Sequence, residues 1–98
     1  MKEKIRTILA SDNANELFVI GQKYMASGNY KIAFEAFNKA RTLGHVKSLT
    51  GLGILIASGK YRGKYTYTLG IKYLEEAISK GDIEAKSILE FYRQEKIG

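Results

Sequence analysis

A six-residue phrase occurs twice, as Ala26-Ser27-Gly28-Asn29-Tyr30-Lys31 and as Ala57-Ser58-Gly59-Lys60-Tyr61-Arg62, and each copy lies between stretches of helical periodicity. One helical unit has therefore been used more than once. Such a unit cannot bury its apolar face alone and must stack on a neighbour, so the chain is expected to be all-helical and to offer surfaces rather than a catalytic cleft. The 98 residues suffice for one compact domain with a single core of modest size. Without proline no segment is barred from helix, and ten glycines supply the breaks.

The periodicity predicts five helices in the array. The first starts near Asn13, where Asn13-Ala14-Asn15-Glu16 has the form of a capping box, and carries Leu17, Ile20, Gly21 and Tyr24 to a stop at Gly28. Asn29 is placed to cap the second, with Tyr30, Ala33, Phe34, Phe37, Ala40 and Leu43 on one stripe before Gly44. A third carries Val46, Leu49, Leu52 and Ile56 and stops around Gly59. Thr66 caps a fourth with Tyr67, Gly70, Tyr73, Leu74, Ala77 and Ile78, ending at Gly81. Asp82 is placed to cap a fifth from Ile83 to about Arg93, with Ala85, Ile88, Leu89 and Tyr92 along one side. A short helix from Lys2 to Ala10 would precede the array.

Asn29, Tyr30, Ala33, Ala40 and Gly44 match Thr66, Tyr67, Gly70, Ala77 and Gly81 at a constant offset of 37 residues, so the second helices are in register. Gly21 and Gly53 are only 32 apart, which places five extra residues within Lys60 to Tyr65. Gly44 to Ser48 maps at the longer offset onto Gly81 to Ala85, which makes the fifth helix half of a third repeat. The expected organisation of residues 1–98 is a lead segment 1–12, repeat one 13–44, repeat two 45–81 with the inserted loop 60–65, and a capping helix 82–98. The expected interior is Leu17, Ile20, Tyr24, Ala33, Phe37, Ala40, Leu49, Leu52, Ile56, Tyr73, Leu74, Ala77 and Leu89.

These residues resemble a known family. Leu17, Ile20, Gly21, Tyr24, Ala33, Phe37 and Ala40 have the spacing of the tetratricopeptide repeat, in which a small residue lets two antiparallel helices approach and large ones fill the gap. The ending Leu43-Gly44-His45 in place of proline, the variable insertion, and Leu52-Gly53, Gly59, Gly70, Tyr73, Ala77 and Gly81 are more similar to the related Sel-one-like repeat. The likeness spans about Asn13 to Tyr92. It implies a short right-handed α-solenoid of antiparallel helix hairpins, two repeats plus a C-terminal capping helix, used for protein binding. Thr66 stands where the Sel-one-like pattern often has an acidic residue, so capping is kept and an acidic loop contact is not. The peptide-carboxylate clamp of the tetratricopeptide family is also missing, with Phe18, Gln22 and Met25 on the corresponding face. Recognition of a free C-terminus is therefore not expected.

Two surfaces stand out. If the first helix of each pair lines a concave side, Asn15, Phe18, Gln22 and Met25, then Lys47, Thr50 and Ile54, then Glu84, Ser87 and Phe91 form a groove. Its mixture of rings and aliphatics with amides and hydroxyls suits an amphipathic peptide or helix. In the alternative, so few repeats curve little and Phe18 and Phe91 pack under the N-terminal segment. The second surface is the insertion, where Lys60, Arg62 and Lys64 interleave with Tyr61, Tyr65 and Tyr67. Cations beside rings suit phosphates with stacked bases, or an acidic peptide. Its alternative is a solvated loop whose tyrosines fold back on the neighbouring helices, and Tyr67, the counterpart of Tyr30, is assigned to the core.

Nothing in the chain has the form of a catalytic constellation. Glu75 and Glu76 are adjacent on a helix and point about 100° apart, which denies them convergent acid-base work. The single histidine, His45, has no cysteine and no clustered carboxylate near it in sequence, so neither a metal nor a cofactor is expected. Behind the basic start the apolar run Ile8-Leu9-Ala10 is too short for a signal peptide, and a cytoplasmic location is the default expectation. A formal charge of +6 favours acidic partners, although the lysines are spread along the chain. The expected function is a non-catalytic interaction module, adaptor or inhibitor, for an acidic or amphipathic protein. Nucleic-acid binding through the basic loop is the alternative, and self-association through the terminal helix a further partner mode.

Overall fold

Asn13 opens the array by accepting the backbone N–H of Glu16 on its side-chain oxygen at 3.0 Å, which satisfies one of the unpaired donors of a new helix. In the computed structural model, which describes residues 6, 7, 10–61 and 65–97, five helices follow: α1 Ala14–Ala26, α2 Tyr30–Thr42, α3 Val46–Ala57, α4 Tyr67–Ser79 and α5 Glu84–Ile97. The described residues contain helix and turns and no strand. Thr66 caps α4 as expected, its hydroxyl accepting from the Leu69 N–H at 3.4 Å. Two other caps differ from expectation. Asn29 makes no side-chain cap bond; its N–H is spent on the Tyr24 carbonyl and its own carbonyl takes the Ala33 N–H. Asp82 turns its carboxylate away from α5 toward Thr50, and α5 begins at Glu84 and continues to Ile97, past the expected end near Arg93. Of the lead segment, Arg6, Thr7 and Ala10 are helical, and the rest of the expected helix lies outside the described residues.

Four helix ends turn on a glycine with positive φ, and three of them close in the same way. After α1 the Gly28 N–H bonds the Met25 carbonyl and the Asn29 N–H bonds that of Tyr24, which is the paired pattern that satisfies the last carbonyls of a helix. Gly44 with His45 and Gly81 with Asp82 repeat it. After α3 the pattern slips. Gly59 bonds Ile56, but the Leu55 carbonyl is taken by Tyr61 instead of Lys60. α3 is also one residue shorter than α1, 12 against 13. The five-residue excess therefore consists of the six residues 60–65 inserted and one lost from the helix.

Consecutive helices run past each other in opposite senses at close range. A methyl placed on Gly21 of α1 would lie 2.5 Å from the Phe37 ring of α2, and one on Gly51 of α3 would meet the same ring at 2.9 Å from the other side. Phe37, fully buried, fills the gap that two absent side chains leave. Between α3 and α4 the contact is backbone on backbone. A methyl on Gly70 would come within 2.7 Å of the Ala57 nitrogen, and one on Gly53 within 2.6 Å of Leu74.

The core follows from these contacts. Ala33, Phe34, Phe37, Leu52, Leu55 and Ile56 form a central cluster, flanked by one around Leu17, Ile32, Ala36 and Ala40 and another around Leu49, Leu74, Ala77, Ala85 and Leu89. Ten of the residues expected inside are buried, whereas Ile20, Tyr24 and Tyr73 are half-buried at the edges of the clusters. Ile32, Ala36 and Leu55 are buried although the single-stripe reading left them out. Inner helices of a stack are covered on two faces, so one apolar stripe under-counts their interior.

Candidate functional site

The side of α1 that faces α3 carries Phe18, Gln22 and Met25, spaced four and three residues apart, and α3 answers with Lys47, Thr50, Gly51 and Ile54. Together with Asp82, Glu84 and Ile88 from the start of α5, these residues line an open groove of about 360 Å³ with the Phe37 ring beneath it. Gly51 gives the groove its depth, because no side chain stands between the lining and that ring. Phe18 is held from two sides. Its ring centre is 5.9 Å from that of Phe37 and 4.7 Å from that of His45.

His45 joins α1 to α3. Its Nε2 is 3.1 Å from Asn15 Oδ1 and its Nδ1 is 3.0 Å from Ser48 Oγ. Burial lowers its pKa below the ordinary value of 6.5, and the neighbouring Lys47 ammonium adds to the effect. Asn15 is consequently a tether for the histidine and does not line the groove.

The polar end of the groove is built across the chain. The buried Thr50 hydroxyl donates to Asp82 Oδ2 at 2.5 Å, and Lys47 Nζ stands 3.6 Å from both Asp82 Oδ1 and Glu84 Oε2. Thr50 is expected from the sequence to face a partner; its hydroxyl is committed instead to a buried carboxylate whose other oxygen faces Lys47. At the α5 end Ser87 and Phe91 lie outside the lining, and Ile88 takes their place. Phe91 is exposed, with its ring edge-on to Tyr92 at 5.3 Å. Sequence reasoning missed Asp82 as well, because a carboxylate after a helix-stop glycine has the form of a cap. The hydroxyl that claims it lies 32 residues earlier.

The inserted loop presents less free ring surface than its sequence offers. Tyr61 and Tyr65 both pack on Phe34, with ring centres at 4.7 and 5.3 Å and planes 30° and 25° apart. The Lys60 ammonium lies 5.4 Å from the centre of the Tyr30 ring and 3.5 Å from its hydroxyl. Tyr67 is half-buried and donates its hydroxyl proton to the Tyr92 carbonyl at 2.9 Å, which ties α4 to α5. Arg62 and Lys64, the other two cations expected to form this surface, lie outside the described residues.

Glu75 and Glu76 face different partners, Arg93 at 2.8 Å and Lys80 at 3.4 Å. Among the described residues no three His, Cys, Asp or Glu gather as metal ligands would, and no helix is long and apolar enough to cross a membrane. Comparison of the chain with known protein families, with curated proteins and with solved structures finds no match.

Proposed function

We propose that this protein is a non-catalytic interaction module, of adaptor or inhibitor type, that receives an amphipathic segment of another protein in the groove between α1, α3 and α5. The observation that carries the reading is the lining itself. Phe18, Met25 and Ile54 converge over an aromatic floor with a few polar groups at one end, the composition of a surface that takes an apolar helix face. Alternate helices supply all three walls, as a short right-handed α-solenoid of two antiparallel hairpins would arrange them. The tetratricopeptide-like and Sel-one-like spacing supports the same architecture, in which α5 is a cap. Where α3 receives α4 with Leu49, Gly53 and Ala57, the positions 37 residues later on α5 are the exposed Lys86, Glu90 and Gln94. A polar face of that kind ends a stack, and the exposed Phe91 beside it is the apolar surface on which self-association through α5 would have to rely.

Affinity capture from the source cell with the full chain and with Phe18→Ala and Met25→Ala variants tests the proposal. Captured protein should fall at least tenfold with either variant, the order expected when a central aromatic or aliphatic anchor is truncated. Retention by both variants, or a captured nucleic acid whose binding falls steeply with salt and ignores these substitutions, would sink it.

A further inference from the structure

Building on the groove reading, we propose that the groove selects a cationic amphipathic helix: apolar anchors along one face, and a lysine or arginine about one turn beyond them, beside Glu84. The chain as a whole carries +6, yet the charged side chains lining the groove are Asp82, Glu84 and Lys47, a surplus of one negative charge. That surplus is placed to be used. The Asp82 side chain is 4% exposed and already holds Thr50 and Lys47, while Lys47 divides its ammonium equally, 3.6 Å from each carboxylate. Glu84 is 73% exposed in the first turn of α5, so it has only half a counterion and an open approach from the groove. A cation from the partner would complete a four-charge cluster of alternating sign at the edge of an apolar surface. An acidic segment would meet the same carboxylates with repulsion.

The size of the apolar part favours a helix. Phe18 and Met25 are seven residues apart on α1, about 10 Å along the axis, and Lys47 and Ile54 span the same length on α3. Two turns of a helix carrying apolar residues at three- and four-residue spacing cover that length, and ridges at that spacing pack between helices that present grooves of the same period. The overall positive charge of the protein and the negative end of its groove thus recommend opposite partners. The groove, where an anchor would be desolvated, decides the choice.

Two fluorescent sixteen-residue helical peptides with the same leucine and phenylalanine stripe, one flanked by arginine and the other by glutamate, would be titrated against the full chain by anisotropy. The arginine peptide should bind roughly tenfold more tightly at low salt, with the gap narrowing as salt rises. Glu84→Gln should weaken the arginine peptide by about threefold, and Glu84→Lys should abolish or reverse the preference. Phe18→Ala should weaken both peptides together. Equal or tighter binding of the glutamate peptide that still depends on Phe18 would overturn the charge selection and leave the groove reading standing. Binding of either peptide that ignores Phe18→Ala, or no binding of either, would overturn the groove reading as well.

Discussion

The pairs α1–α2 and α3–α4 are built from matching residues and held together differently. In the first, the close approach is made by a side chain: Phe37 enters a slot kept open by Gly21 and Gly51, and Ala33 keeps its methyl in the interior. In the second, Gly70 stands where Ala33 stood and the two backbones themselves touch, with Leu74 over Gly53 in place of the ring. The turns differ in the same sense. Gly28 leads directly into α2, whereas the turn at Gly59 slips by one residue and delivers Tyr61 onto Phe34. One small-residue pattern thus serves two contacts, one spaced by a ring and one in which backbone touches backbone at Gly70 and a leucine side chain covers Gly53.

Removing the ring should break the first contact most severely. Phe37→Ala deletes the centre of the core cluster between three helices and is expected to cost about 3–5 kcal/mol, read as a loss of urea midpoint; a cost below 1 kcal/mol would deny the slot its role. The 37-residue counterparts sharpen the contrast. Gly70→Ala should cost about 1–3 kcal/mol, because the added methyl meets the Ala57 backbone and backbone does not yield as a flexible side chain can. Ala33→Gly, the reverse exchange, should cost about 1 kcal/mol from helix propensity. Equal and small effects at both positions would erase the distinction.

The turns make a smaller test. Tyr61→Ala removes a half-buried ring packed on Phe34 and should cost about 1 kcal/mol. Asn29→Ala should be nearly silent, since Asn29 makes no side-chain cap. His45, which links the two halves, should show its effect in the pH dependence of stability. Its pKa is lowered in the folded state, so the unfolded chain binds the proton more readily. The stabilising contribution is complete above 6.5 and is lost as pH falls below 6.5 through the folded value. Urea midpoints measured from pH 8 to pH 5 should decline toward acid and flatten in His45→Gln.

Much of the helical layout can be read from residues that act locally. The glycines at positions 28, 44, 59 and 81 mark where helices stop, and each takes the positive φ that such a stop requires. Asn13 and Thr66 cap where their side chains suggest, because capping involves atoms three residues away. The candidate site was less legible. Phe18, Gln22, Met25, Lys47 and Ile54 face the groove as their spacing on α1 and α3 requires, but Asn15 is drawn aside by His45, Ile88 one turn after Glu84 lines the groove while Ser87 is exposed outside it, and Phe91 lies beyond the turns of α5 that reach the groove. Thr50 and Asp82 changed roles for one reason: each is the other's partner, and neither neighbourhood in sequence contains the second.

The sequence by itself determined where α1 to α4 stop, which small residues permit close approach, and that residues 60–65 break the register, since each is a property of a few neighbouring residues or of a constant offset. Only the tertiary structure decided which face of each inner helix is covered twice, that the loop tyrosines serve Phe34, and that the groove of a basic protein ends in excess negative charge. Those outcomes depend on residues 16 to 70 positions apart, from Gly21 against Phe37 to Phe18 and Ile88 lining one groove, being brought together, and no local pattern encodes such distances.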